Sequence, residues 1–258
     1  LENRSILSFS DAHSPMKMGR EATVFEISNQ SLELSYDLIR EAITKLSSNN
    51  QALRAKIAYT LEFYPEEGKY HYTGHRNCRV VQTPKETKEK GAICPVCKRP
   101  LTVGVEHRVQ ELADSKMSNV IRSASSGQMS NDEFGVRWIN DPTGKHPPYV
   151  KLVPLVEIIA ESLSSTPASV KVRALFNELC EHFGSEINIL LKTEVSQIQK
   201  IAGDKIAEGI YKVRKGDIAV EPGFDGEYGK VKIWNNKEEA DIKAQKAEQR
   251  QSQLGLEF

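Results

Sequence analysis

The sequence predicts an α+β fold with three structured parts: a mixed strand and helix region, a small cysteine-containing module, and a helical region that ends in a β-hairpin. Apolar residues recur at helical spacing in residues 34–46 and 172–183, and a run of β-forming residues lies at 57–64. Three of the four cysteines fall between Cys78 and Cys97. The turn signals Pro222-Gly223 and Asp225-Gly226 predict the hairpin.

Changes in composition divide the 258 residues into five segments. Residues 1–68 hold the first helix and strand, and residues 69–113 hold the cysteine module. Residues 114–148 are rich in Ser, Asn, Asp and Gly, which predicts a flexible loop. Residues 149–235 form the helical region with its terminal hairpin, and residues 236–258 form a polar tail.

The overall charge restricts the class of protein. Thirty-five basic residues balance thirty-five acidic ones, which argues against a uniformly basic nucleic-acid coat and against an acidic disordered chain. No apolar run is long enough for a membrane span, and the four cysteines are too few for a disulfide scaffold. We therefore expect a cytoplasmic protein with no membrane partner. Because the first residue is Leu1, we expect a C-terminal piece of a longer protein.

Two chelating pairs lie in the cysteine module. His75-x-x-Cys78 and Cys94-x-x-Cys97 each place two ligands on one tight turn. Zinc takes four such nitrogen or sulfur ligands in a tetrahedron. Three thiolates and one imidazole would close the coordination shell, so the expected zinc ion is structural.

The spacing leaves alternatives to this zinc site. His71 and His107 are close enough along the chain to replace His75 as the fourth ligand. A redox-active Cys-x-x-Cys pair, or scattered buried thiols, would explain the cysteines without a metal. Residues 69–108 carry nine basic against three acidic residues, which favours contact with a phosphate backbone over a merely solvated surface. The candidate DNA-binding residues here are Arg76, Arg79, Lys98 and Arg99.

Asp11 and His13 form a second candidate metal site, just after a short apolar run. On an extended segment, side chains two residues apart point the same way and can reach one ion. A carboxylate with an imidazole suits zinc, manganese or iron. The alternative is a turn in which Asp11 caps the following segment.

Several long motifs carry a family resemblance. Residues 8–15 and 18–25 resemble the last metal-binding motif of the PHP (polymerase and histidinol phosphatase) superfamily. Residues 59–71, the two chelating pairs and residues 216–231 resemble one branch of it, the endonuclease Q family. The resemblance covers nearly the whole chain except residues 114–148 and the tail. It implies that residues 1–68 are the C-terminal edge of a PHP (β/α) barrel, followed by a zinc-knuckle module and a helical domain.

The same resemblance implies a DNA-repair endonuclease that cuts DNA on the 5′ side of deaminated bases. Asp11 and His13 would be catalytic residues, as two ligands of a cluster of Zn, Mn or Mg ions, and the other ligands would lie upstream of Leu1. Such ions assist phosphodiester hydrolysis, and the damaged base would be flipped into a pocket. We expect the present chain to be inactive alone.

The apolar spacing on both sides of Gly203 is typical of a helix–hairpin–helix motif. In that motif a glycine turn lets backbone N–H groups contact a phosphate, and Gly203 and Lys205 are the candidates here. Asp204 stands where the motif usually has its second glycine. An ordinary helical pair is the alternative.

The chain ends in a sequence that resembles the short peptide with which bacterial DNA-repair proteins dock onto the sliding clamp. An apolar terminal peptide on a polar tether can insert into a groove of its partner. A frayed apolar end, or vector residues, is the alternative. A clamp partner implies a bacterial cytoplasmic protein. The candidate clamp-binding residues are Gln253, Leu254, Leu256 and Phe258.

Two other functions compete with the endonuclease. One is a non-catalytic, zinc-containing DNA-binding adaptor. The other is a helicase-associated protein, because many relatives carry a helicase label. The chain lacks the Gly-x-x-x-x-Gly-Lys-Ser/Thr phosphate loop, so we expect no ATP-driven motor.

Overall fold

The computed structural model describes residues 5–29, 33–44, 54–112 and 128–235. Within these ranges no helix combines the length and the apolar character that crossing a bilayer requires. The helices are α1 (Tyr36–Thr44), α2 (Pro84–Lys90), α3 (Val105–Leu112), α4 (Leu155–Ser162), α5 (Val170–Phe183), α6 (Glu186–Leu191), α7 (Val195–Ala202) and α8 (Asp204–Lys215). The strands are β1 (Ala22–Ile27), β2 (Ala55–Glu62), β3 (Thr73–His75), β4 (Val80–Gln82), β5 (Gln128–Asn131), β6 (Arg137–Asn140), β7 (Tyr149–Lys151), β8 (Ala219–Glu221) and β9 (Lys230–Lys232). The expected α+β class is confirmed.

A five-stranded mixed sheet runs in the order β1-β2-β7-β6-β5. The central strands β2 and β7 pair in parallel, with Thr60 opposite Tyr149, and the other neighbours are antiparallel. Two parallel strands need a long crossover connection between them. Here that connection contains the entire cysteine module, with its small sheet of β3 and β4.

The hairpin of β5 and β6 lies in the segment 114–148, which we expected to be a flexible loop. That expectation is wrong for residues 128–140, where the two strands pair with each other and β6 joins β7. Asp132 organises the turn, since its carboxylate accepts bonds from two backbone N–H groups and from Trp138 Nε1 at 2.9 Å. Residues 113–127 lie outside the described ranges.

The main core lies between one face of the sheet and the helices. Leu155, Ile158 and Ile159 of α4 have no exposed surface and stand at its centre. Each such side chain stabilises the fold by about 1.5–3 kcal/mol. Gly209 lets α8 approach α4 closely, because a Cβ atom there would lie 3.1 Å from side-chain atoms of Ile158 and Trp234.

Arg214, near the end of α8, is buried in this core with 1% of its surface exposed. Its Nε donates to the Leu190 carbonyl at 2.9 Å, and Nη1 donates to the Phe134 carbonyl at 3.0 Å. Nη2 donates to the carbonyls of Ile189 at 2.7 Å and Thr193 at 2.6 Å. The last carbonyls of a helix lack partners within it, so Arg214 caps α6 while joining it to α8 and to the β5–β6 turn.

Replacing Arg214 by methionine would keep much of the side-chain volume and remove every donor. Four carbonyls, three of them in buried bonds, would lose a partner. Each buried one costs about 1–3 kcal/mol, so we expect the free energy of unfolding to fall by at least about 3 kcal/mol. Arg173→Met, at an exposed position of α5, is the matched control and should change it by less than about 0.5 kcal/mol. Urea unfolding measures both, and equal values for the two variants would contradict the role of Arg214.

Candidate metal centre

The four residues expected to bind zinc lie together in the structure. The ligand atoms of His75, Cys78, Cys94 and Cys97 are all within 4.8 Å of one another. Cys97 Sγ is 3.3 Å from His75 Nδ1, close to the separation of about 3.5 Å between a sulfur and a nitrogen bound to one tetrahedral zinc. In the described part of the chain, no other group of three or more such side chains lies at metal-binding separations. The donor set and its spacing therefore fit a metal ion.

Both chelating pairs end at a left-handed residue. The residue directly after the second ligand of each pair adopts this conformation, with φ of 50° at Arg79 and 63° at Lys98. The Arg79 N–H donates to the Arg76 carbonyl at 3.1 Å, and the Lys98 N–H donates to the Cys94 carbonyl at 3.0 Å. The two turns thus fold back tightly enough to present two ligands each.

Backbone hydrogen bonds hold the two turns beside each other. Gly74 donates to the Thr102 carbonyl at 3.0 Å, and Thr102 donates to the Gly74 carbonyl at 2.9 Å. A Cβ atom at Gly74 would lie 2.6 Å from both the Phe224 ring and the Val80 carbonyl oxygen, so only glycine fits there. The protein itself therefore brings the ligand pairs together.

The thiols of Cys94 and Cys78 differ in their ease of ionisation. Burial opposes ionisation of Cys94, but the backbone N–H groups of Cys97 and Val96 and the His75 side chain outweigh it and lower its pKa to about 6. Desolvation and the neighbouring thiols of Cys97 and Cys94 raise the pKa of Cys78 to about 11. A bound cation would have to displace that proton, as metals do at thiolate sites.

The two alternative imidazoles lie elsewhere. His107 Nδ1 is 3.3 Å from the Pro84 carbonyl oxygen, and its Nε2 is 3.5 Å from the Glu111 carboxylate. The His71 ring lies against Tyr72, with a centroid separation of 4.9 Å. Among these three histidines, His75 is the one that reaches the cysteines.

The basic candidates flank the metal-ligating residues. Arg76 and Arg79 lie on the first turn and Lys98 and Arg99 on the second, and all four are exposed. Lys98 Nζ donates to the Pro95 carbonyl at 3.0 Å. Arg76, Arg79 and Lys98 are each next to a ligand along the chain, and Arg99 is two residues from Cys97. A metal bound here would therefore fix the backbone that carries these charges.

Helix–glycine–helix units occur twice in the helical region. Gly203 joins α7 to α8 with a φ of 83°, and Gly184 joins α5 to α6 with a φ of 87°. Gly203 is exposed, and the position of a Cβ atom there has no neighbour within 4 Å. Lys205 Nζ lies 4.7 Å from the centroid of the Trp234 ring, so that side chain packs on the fold. The sequence predicted the unit around Gly203 and did not identify the unit around Gly184 as its counterpart.

Asp11 and His13 follow a segment that runs beside β1, where the Ser8 N–H donates to Thr23 Oγ1 at 2.8 Å. The expected extended geometry is wrong, because Asp11 is left-handed with a φ of 44°. His13 Nδ1 lies 2.8 Å from the Asp11 carbonyl oxygen. A carbonyl only accepts, so Nδ1 is the donor in this contact, and in the neutral ring Nε2 keeps the lone pair that a metal needs. Both side chains are exposed.

A cavity of about 610 Å³ opens on the sheet face opposite the main core, and sequence analysis missed it. Glu21 and Glu62 line it, together with a pair in which Asp141 Oδ2 is 2.8 Å from His146 Nδ1. Burial, with the Glu62 charge, raises the pKa of Glu21. The Asx turn from Asp141 to Thr143 was the only local signal of this cluster.

The proposed clamp-binding residues, Gln253, Leu254, Leu256 and Phe258, lie outside the described residues.

The chain is similar in sequence to one protein family and to two longer proteins. The MJ0043 C-terminal domain family matches residues 154–217, which include α4 to α8. The protein MJ0043 of Methanocaldococcus jannaschii is 31% identical over 234 residues, 90% of this chain and 26% of that protein. YqxK of Bacillus subtilis is 27% identical over 227 residues, 88% of this chain and 46% of that protein. The chain therefore spans less than half the length of these relatives.

Two solved structures share the fold. The lesion-specific endonuclease PfuEndoQ from Pyrococcus furiosus is 29% identical with a TM-score of 0.68, covering 90% of this chain and 50% of that one. Endonuclease Q in complex with a 27-mer duplex containing an abasic lesion is 29% identical with a TM-score of 0.63, covering 89% of this chain and 50% of that one. In sequence and in fold, this chain is similar to these endonuclease Q structures over about nine-tenths of its length.

Proposed function

We propose that the chain is the C-terminal part of a DNA-repair endonuclease that cuts on the 5′ side of deaminated bases in a metal-dependent reaction. The observation that carries the proposal is a fold shared over 90% of the chain with a lesion-specific endonuclease, at 29% identity. A second similar structure is a complex with a DNA duplex. Within this proposal, residues 1–68 are the edge of a PHP barrel.

His75, Cys78, Cys94 and Cys97 bind one zinc ion in this proposal. The convergence of three sulfurs and one imidazole nitrogen within 4.8 Å supports it. Four protein ligands fill a tetrahedral shell, so this zinc has no position for water and acts on structure alone. It stabilises a module whose own apolar core is small.

The surface around the zinc turns contacts the phosphate backbone of DNA. Support comes from the nine basic against three acidic residues in 69–108 and from the exposure of the candidate side chains. Charge neutralisation of phosphates supplies most of the affinity in such contacts. The exposed Gly203 turn is the second contact, through the backbone N–H groups at the start of α8, since the Gly203 N–H itself donates to the Gln199 carbonyl. The arginines and lysines proposed for these contacts are Arg76, Arg79, Lys98, Arg99 and Lys205.

Asp11 and His13 are proposed as two ligands of the catalytic Zn, Mn or Mg site. When bound, such ions activate water and neutralise the charge that develops on the phosphate. The chain contributes the orientation of the donors: the Asp11 carbonyl holds His13 Nδ1 at 2.8 Å and so fixes the ring. Left-handed residues other than glycine are found disproportionately at functional sites, and Asp11 is one.

Replacing Cys94 by serine should remove the zinc, because a buried hydroxyl does not ionise as a thiol does. Metal analysis of the purified chain should find one zinc in the wild type and well under half of that in Cys94→Ser. Cys180→Ser is the control, because Cys180 packs against the main core away from the cluster, and it should keep one zinc. One zinc per chain in Cys94→Ser would argue directly against the site.

Asp11→Ala, made in the longer protein, should abolish nicking of a uracil-containing duplex with Mn or Mg. Losing a metal ligand should lower the nicking rate by at least about 100-fold, while DNA binding is largely kept. Replacing a residue that merely holds a ligand in place already costs about 10–100-fold, and losing the ligand itself should cost no less. The control is Asp37→Ala, at an exposed position of α1, which should nick normally. Normal nicking by Asp11→Ala would exclude Asp11 from the site, and a wild type that binds without cutting would instead support a DNA-binding adaptor.

We also propose that the tail docks onto a bacterial sliding clamp. Burial of Leu256 and Phe258 in a groove would contribute about 1.5–3 kcal/mol each. Replacing both by alanine in a peptide of residues 250–258 should therefore weaken binding by about a hundredfold or more. A titration against a purified clamp measures this. Equal binding of the wild-type and alanine-substituted peptides would contradict clamp docking and leave the tail as an ordinary apolar terminus.

A further inference from the structure

The loop of residues 222–229, here called the strap, connects β8 to β9 and lies across the start of the cysteine module. Three of its glycines donate backbone hydrogen bonds of 2.8–3.0 Å to carbonyls just before the module and at its first residue. A Cβ atom at Gly229 would overlap the Glu66 carbonyl oxygen, so the close approach requires glycine. The bonded pairs are Gly223 with Glu66, Gly226 with Lys69 and Gly229 with Glu67.

One side chain of the strap reaches both chelating turns. Asp225 Oδ2 accepts a hydrogen bond of 2.8 Å from the backbone N–H of Arg76, the residue after the ligand His75. Asp225 Oδ1 accepts from the hydroxyl of Thr102, which pairs through its backbone with Gly74. The carboxylate thereby spans from the turn of the first ligand pair to the segment that follows the second pair.

The strap is anchored at its other end in the main core. Directly after β9, Ile233 and Trp234 are buried, with 1% and 2% of their surface exposed. Their backbone N–H groups donate to Glu161 Oε1 of α4 at 2.9 and 3.2 Å. A short stretch of chain therefore connects the ligand turns to the centre of the helical region.

We propose that Asp225 is a positioning residue for the zinc ion, and that the strap makes zinc retention and docking of the module mutually dependent. The inference rests on the zinc site proposed above. With Asp225 in place, the Arg76 N–H and the Thr102 hydroxyl are both satisfied, so the turn that carries His75 is ordered before the ion binds. Without it, that turn opens more readily, and opening is the route by which the ion leaves. Because coupling is reciprocal, loss of zinc should loosen the strap.

The test compares the rate of zinc release from the wild-type chain and from three variants of the full chain. Each protein is loaded with one zinc ion and mixed with an excess of a chromogenic chelator. Replacing a residue that hydrogen-bonds to a ligand's surroundings typically weakens a metal site about 10–100-fold, so zinc release from Asp225→Ala should be at least about tenfold faster than from wild type. Asp225→Asn should fall between them, since its amide oxygen can still accept one of the two bonds. The control Asp217→Asn, at a residue 71% exposed near the start of β8, should release zinc like wild type.

Two further readouts separate positioning from a general loss of stability. In the Co²⁺-substituted chain, Asp225→Asn should change the visible absorption of the metal, because the His75 turn moves relative to the thiolates. In wild type, removal of zinc should speed hydrogen exchange at the amides of Gly223, Gly226 and Gly229, and leave the amides of α5 protected. Unchanged absorption, or strap amides insensitive to zinc, would overturn the coupling.

The outcomes also separate this inference from the site on which it rests. A wild type that holds no zinc would defeat the zinc proposal. A wild type that holds one zinc, with Asp225 variants that release it at the wild-type rate, would defeat the role of Asp225 alone.

Discussion

The buried guanidinium of Arg214 is the interaction on which the helical region depends. A cation in a protein interior must replace its lost hydration. Arg214 does so with four carbonyl groups, and among the described residues no carboxylate makes an ion pair with it. Burial lowers its pKa, while the charges of Asp132 and Glu194 raise it. The negative end of the α6 dipole adds to this solvation. Arg214 thereby holds α6, α8 and the β5–β6 turn together at one point. Because α8 begins directly after Gly203, the position of the Gly203 turn is set as well.

The segments that carry the two candidate metal sites are both connected to the end of β2. β2 ends at Glu62, whose Oε2 accepts a hydrogen bond of 2.9 Å from Ser8 Oγ, in the segment that leads to Asp11. The same strand continues through a single turn, Pro65–Glu67, into the cysteine module. The end of β2 therefore determines the position of both the segment proposed for catalysis and the start of the module proposed for DNA contact.

Local patterns allowed parts of this arrangement to be predicted from sequence. The helix of residues 170–183, the strand at 55–62 and the ligand turns follow from periodicity or from spacing within a few residues. The pairing of β5 with β6 could not be predicted, because Asp132 stabilises a stretch whose composition is that of a loop. The bond from Arg76 to Asp225 joins residues 149 positions apart, which no local pattern encodes. Arg214 sits at the basic end of an amphipathic helix, where sequence alone favours an exposed side chain.

The insertion of the cysteine module between β2 and β7 also constrains the order of folding. Contacts within the module, such as Gly74 with Thr102, close loops of modest length, whereas Thr60 meets Tyr149 only after the whole crossover has been organised. Loop-closure entropy favours short-range contacts first, so the module forms early and the parallel pair late. Until then β2 and β7 present unpaired edges to other chains. If the module folds around the proposed zinc ion, a shortage of that metal during synthesis should therefore appear as aggregation of newly made protein.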